Sequence, residues 1–100
     1  MEIIFLPTAL DDLKYFKEGG NSIILKRIRQ LLEDIQNNPF QGIGKPEALK
    51  YNLSGKWSRR INQEHRLVYK VENDIITVYS LRFHYPNNIS PNSNTFGMDK

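Results

Sequence analysis

A chain of 100 residues, 39% of them hydrophobic, makes one domain with one modest core and holds no apolar run long enough to span a membrane. The absence of cysteine excludes disulfides, thiol catalysis and cysteine-ligated metal, and fits a cytoplasmic protein. The net charge of +3 is uneven: residues 1–43 carry 5 Lys or Arg against 6 Asp or Glu, residues 44–85 carry 8 against 4, and residues 86–100 carry one of each.

The start, Met1-Glu2-Ile3-Ile4, has no basic region or small-residue cleavage site and does not resemble a signal peptide. Residues 2–6 are β-branched and aromatic enough for a short strand. Thr8 is the expected N-cap of a first helix, with Asp11 at the capping-box position and Asp11 and Asp12 both suited to the positive end of the helix dipole. Its apolar stripe is Ala9, Leu10, Leu13 and Phe16, and Gly19-Gly20 stops it. A second helix follows Asn21-Ser22. Ile24, Ile28, Leu31, Leu32 and Ile35 recur at helical spacing until Asn37-Asn38-Pro39 ends it.

A loop punctuated by Gly42, Gly44 and Pro46 comes next. Residues 51–53 are placed as a short strand, and residues 57–61, 66–71 and 75–84 as a meander of three strands. The expected architecture is α+β, with two N-terminal helices packed on a small, mainly antiparallel sheet. Residues 1–85 form the domain. Residues 86–100, rich in Asn, Pro and Ser, are expected to be a mobile tail.

The polar residues of the second half concentrate near the sheet. With three-residue loops in both hairpins, Val71 pairs with Ile75, Arg66 lies across from Ser80 and diagonal to Arg82, and Arg60 lies across from Arg66. Arg60, Arg66, Arg82 and His84 then share one face. Two-residue loops shift the parity and break that grouping. A basic face of this kind suits an anion such as nucleic acid, and equally suits an ordinary solvated sheet surface.

Glu47, His84 and the arginines together offer a base, an acid and cations. RNA cleavage through the substrate's own 2′-hydroxyl needs those three groups and no enzyme nucleophile or metal hydroxide. Histidine titrates near neutrality, and arginine presents a fork of donors that matches phosphate. Taken singly, Glu47 reads equally well as a solvated loop residue and His65 as a turn histidine. Trp57 and Tyr69 read as core. No cofactor motif is present, and no ligand cluster implies a metal.

Several segments resemble one family: Gly44-Lys45-Pro46-Glu47-Ala48-Leu49-Lys50, Asn52-Leu53-Ser54-Gly55, Trp57-Ser58-Arg59-Arg60-Ile61, Glu64-His65-Arg66-Leu67-Val68-Tyr69 and Arg82-Phe83-His84-Tyr85. Together they look like the YoeB/Txe branch of RelE-type toxins. The resemblance implies a microbial-RNase-like fold and a metal-independent endoribonuclease that cleaves mRNA in the ribosomal A site. It further implies neutralisation by a cognate antitoxin, homodimers, and operator-DNA binding by the toxin–antitoxin complex. By the same resemblance Glu47 matches the general base, Arg66 the transition-state stabiliser and His84 the general acid. Lys50, Arg60, Arg82 and Tyr85 would contact substrate. The alternative is a non-catalytic relative acting through its basic face, since the wider superfamily includes gyrase-poisoning toxins without this acid–base set. Two departures stand out: Leu6-Pro7-Thr8 replaces an aromatic residue after the first strand, and 15 residues follow Tyr85 where relatives end.

Overall fold

The computed structural model describes residues 1–83. Strand β1 (Glu2–Phe5) leads into helix α1 (Pro7–Glu18), and α2 (Ser22–Asn37) follows after Gly19-Gly20. The remaining strands are β2 (Glu47–Ala48), β3 (Trp57–Arg60), β4 (Arg66–Glu72) and β5 (Ile75–Phe83). They form one five-stranded sheet in the order β1-β5-β4-β3-β2. β1 runs parallel to β5, and the other pairs are antiparallel. The expected α+β architecture is therefore present. Among the described residues no helix is long and apolar enough to cross a membrane.

Both helices pack on one face of the sheet. The α2 stripe of Ile24, Ile28, Leu31, Leu32 and Ile35 is buried in a single core with Leu67, Tyr69, Ile76, Val78 and Leu81. Asn21 caps this helix, its side-chain oxygen accepting from the Ile24 N–H at 3.2 Å. The α1 stripe differs from expectation. Ala9 and Phe16 are buried, but Leu10 is 52% exposed and Asp12 turns inward with 8% exposure. Thr8 is not the N-cap. Leu6 takes that position without a side-chain bond, and Pro7 opens the helix, where its fixed φ costs nothing.

Three further expectations are corrected. Residues Tyr51–Leu53 form a 3₁₀ turn rather than a strand, while the unanticipated strand Glu47–Ala48 pairs with β3. The β4–β5 hairpin closes through the two residues Asn73 and Asp74, with φ of 54° and 64°, as a tight left-handed turn requires. Glu72 then pairs with Ile75, and Val71 with Ile76. Two register shifts, between Val68 and Tyr69 and between Arg66 and Val68, insert extra residues into β5. Arg66 consequently faces Phe83 rather than Ser80. The β3–β4 hairpin matches expectation, with the Ile61 N–H bonding the His65 carbonyl at 3.0 Å and Arg60 opposite Arg66.

Candidate active site

Paired residues on neighbouring strands share a face, and the register assigns the polar residues accordingly. Trp57 and Arg59 point toward the helices with Leu67 and Tyr69, so Ser58 and Arg60 take the helix-free side. Glu47 pairs with Ser58, Ser58 with Val68, and Val68 with Ser80. The adjacent row is Arg60, Arg66 and Phe83. Glu47, Arg60 and Arg66 therefore lie together on the helix-free face. From strand spacing and rise, the Cα atoms of Glu47 and Arg66 are about 12 Å apart, with Arg60 between them. That separation leaves room for one phosphate bound by an arginine, with the glutamate carboxylate facing a proton donor beside it.

The turn before β4 holds the Arg66 guanidinium. Its Nη1 donates to the carbonyls of Asn62, Gln63 and His65 at 3.0, 3.3 and 3.3 Å. Lys50 is exposed between β2 and the Tyr51–Leu53 turn, at the same edge of the sheet as Glu47. Lys56 sits over the Tyr79 ring with Nζ 4.8 Å from its centre. Arg82 is not part of the group. The bulges in β5 carry it to α1, where its guanidinium lies 3.7 Å from the centre of the Tyr15 ring. The shared face of Arg60, Arg66, Arg82 and His84 thus reduces, among the described residues, to Arg60 and Arg66 with Glu47. His84 and Tyr85 lie outside the described residues. His65 is buried, with its ring edge-on to Phe16 at 5.2 Å.

One arginine of the Trp57-Ser58-Arg59-Arg60 run has a different task. Arg59 is fully buried and donates to the Asp34 carboxylate and to the carbonyls of Asn38, Gln41 and Ile43. Its Nε donates to the Tyr69 hydroxyl at 3.2 Å, and that hydroxyl donates to the Pro39 carbonyl at 2.6 Å. The hydrogen bond from Arg59 holds the Asp34 carboxyl below its ordinary pKa against the opposing effect of burial, and the Ile43 N–H assists. Burial pushes the Tyr69 phenol up. This network clamps the loop between α2 and β2, the loop that delivers Glu47. Gly42 and Gly44 fit only as glycines: both have positive φ, and a Cβ on Gly42 would strike Asp34 while one on Gly44 would meet Leu31 at 2.7 Å.

Sequence reasoning missed Arg59 as a core residue, although the signal was available. Trp57 marks the core face of the strand, and a residue two further along shares it. It also missed Asp12, whose Oδ2 accepts from the backbone N–H groups of Leu81 at 2.8 Å and Arg82 at 3.1 Å. No local pattern reveals a partner some seventy residues away. Among the described residues no group of three or more His, Cys, Asp or Glu is arranged to hold a metal ion.

Residues 5–85 match the family model described as the YoeB-like toxin of bacterial type II toxin–antitoxin systems. Toxin YoeB of Escherichia coli K12 is 47% identical over 85 residues, which is 85% of this chain and all of that protein. Toxin YoeB of Synechocystis is 49% identical, over 85% of this chain and 98% of the relative. Among solved structures, the YoeB dimer of Staphylococcus aureus superposes with a TM-score of 0.80 at 48% identity, and the YoeB–YefM complex of the same organism with 0.77 at 49%; each comparison covers 85% of this chain and 98% of the other. YafQ of E. coli, at 15% identity and a TM-score of 0.69, shares the fold alone. The chain therefore belongs to the YoeB-like toxins of bacterial type II toxin–antitoxin systems.

Proposed function

We propose that this toxin is a ribosome-dependent endoribonuclease that cuts mRNA in the A site and so arrests translation. The observation that carries the reading is the convergence of Glu47, Arg60 and Arg66 on the helix-free face of the sheet. In this reading Glu47 takes the proton of the 2′-hydroxyl next to the scissile phosphate. The 2′-oxygen attacks phosphorus, and the bond to the 5′-oxygen breaks, giving a 2′,3′-cyclic phosphate. His84 supplies the proton that the departing 5′-oxygen needs. Arg66 neutralises the charge that builds on the phosphoryl oxygens, and its forked donors suit two of them at once. Lys50, Arg60 and Tyr85 hold the message on either side. The nucleophile belongs to the substrate, so the chemistry calls for no cofactor and no metal hydroxide.

One carboxylate and one histidine make a sparse site, and the ribosome supplies the orientation of the message that the toxin lacks. The partners follow from the same reading. A cognate antitoxin neutralises the toxin, as the YefM component of the S. aureus complex suggests by analogy, and a second copy of the chain forms a homodimer, as in the S. aureus YoeB dimer. With its antitoxin the protein binds operator DNA. Its targets place its action in the cytoplasm. The test is to map message ends after purified protein is added to a translating extract. Cuts phased with codons are the expected result. Intact message would transfer the toxicity to another target reached through the basic face.

A further inference from the structure

We propose that Asp12 is a positioning residue for the general acid, holding the end of β5 so that the residues just beyond it meet the scissile bond. The inference rests on the reading of His84 as that acid. β5 is supported on one side by β1 only as far as Val78, which pairs with Phe5 and accepts from the Leu6 N–H at 3.0 Å. Beyond Val78 the chain has turned into α1, and among the described residues no strand faces the N–H groups of β5 on that side. At this point the strand also carries its two bulges, which re-aim side chains and weaken the ladder. Asp12 takes over from β1. One oxygen of its carboxylate, buried under the sheet, accepts from both Leu81 and Arg82.

Burying a carboxylate costs stability unless charge-assisted bonds offset it, and here two backbone donors do so. One turn along α1, Tyr15 lies against the Arg82 guanidinium, so α1 grips the same residue by backbone and by side chain. His84 follows Arg82 by two residues, a reach of about 7 Å. A helix carboxylate that fixes Arg82 therefore fixes the start of the segment that carries the acid. Asp12 touches no reacting atom. Its effect on rate comes through placement, and misplacement of a catalytic group by about 1 Å can cost 10²-fold.

The test separates the acid from every other role by changing the leaving group. A message with sulfur in place of the bridging 5′-oxygen at the scissile phosphate departs as a thiolate and needs no proton. Single-turnover cleavage on programmed ribosomes is measured for the wild type, His84→Ala, Asp12→Ala, Asp12→Asn and Glu47→Ala, with both messages. Asp12→Ala should cleave the oxygen message about 10–100-fold more slowly at unchanged half-saturating ribosome concentration. On the sulfur message it should recover most of that loss, as His84→Ala should and Glu47→Ala should not. Asp12→Asn keeps an oxygen acceptor for the two N–H groups and should stay within about fivefold of wild type. It also provides a folded variant if alanine unfolds the chain. Should Asp12→Ala, or an equally impaired Asp12→Asn, remain slow on the sulfur message while His84→Ala recovers, the inference is overturned and the acid reading stands. A His84→Ala defect that sulfur does not relieve overturns the acid reading and this inference with it.

Discussion

Adjacent arginines on β3 have opposite fates because a strand alternates its faces. Arg59 is enclosed with Asp34, Tyr69 and three loop carbonyls, whereas Arg60 stands among the polar residues of the helix-free side. Removing the guanidinium of Arg59 leaves a partly buried carboxylate and several acceptors without their donor, so Arg59→Met should cost about 3–5 kcal/mol of stability. Arg60→Met should cost less than about 1 kcal/mol and instead weaken cleavage. Chemical denaturation beside a cleavage assay checks the pair, and similar stability losses for both would refute the facial assignment. Glu47→Ala, Arg66→Ala and His84→Ala should each lower cleavage by about 10²–10⁴-fold, the scale of a lost acid, base or charge stabiliser. Melting temperatures within a few degrees of wild type would attribute those losses to chemistry. A His84→Ala variant that cleaves normally would remove it from the acid role.

At the scale of elements, the loop between α2 and β2 is held by charge as well as by glycine geometry, and that makes its stability depend on pH. Arg59 holds the Asp34 pKa below the value of about 3.9 that an unfolded aspartate has. Above that value the carboxylate is ionised in both states and its stabilising contribution is complete. As the pH falls below about 4 the unfolded chain takes up the proton first, and the contribution is lost progressively down to the folded-state pKa. Asp34→Asn should therefore melt lower than wild type at pH 7, and the gap should narrow as the pH falls below about 4. A gap that is constant with pH would show that the ion pair is not the source. How far the elements could be read from sequence follows from how local their causes are. The α2 stripe and the stop at Gly19-Gly20 depend on neighbours within one or two turns and were legible. So was the pairing of Arg60 with Arg66, across a short turn. The register of β5 was not, because a bulge leaves no mark in composition and each one reverses the parity of every residue after it. The site was legible to the same degree. Arg60 and Arg66 keep their shared face, Glu47 joins it through a strand that the sequence did not announce, Arg82 moves to the Tyr15 side, and Asp12 became visible only with its partners across the fold.

For the whole molecule, the helix-covered and helix-free faces of one sheet divide the work. The helices supply the apolar core, which leaves the other face available to a polyanion, and the basic excess of residues 44–85 falls there in part through Arg60 and Arg66. A site with so few groups depends on its substrate arriving oriented, so single-turnover cleavage of free mRNA should be slower than cleavage of ribosome-bound mRNA by at least about 10²-fold. Comparable rates on the two would reject ribosome dependence. The antitoxin is expected to work against the same face, since an acidic or unstructured segment that folds onto Arg60 and Arg66 satisfies their charge and excludes RNA. Residues 86–100 lie outside both the described residues and the family match, which ends at residue 85. Their sequence, mostly Asn, Pro and Ser with few apolar side chains, offers little to offset the entropy of ordering fifteen residues. A chain ending at Tyr85 should accordingly cleave ribosome-bound message and bind its antitoxin within about threefold of the full chain, since interactions worth more than about 0.7 kcal/mol are not expected of such a segment. A large gain in cleavage on truncation would mean that the segment covers the site, and a large loss would mean that it completes it. Either result would extend the functional unit from residue 85 to the end of the chain.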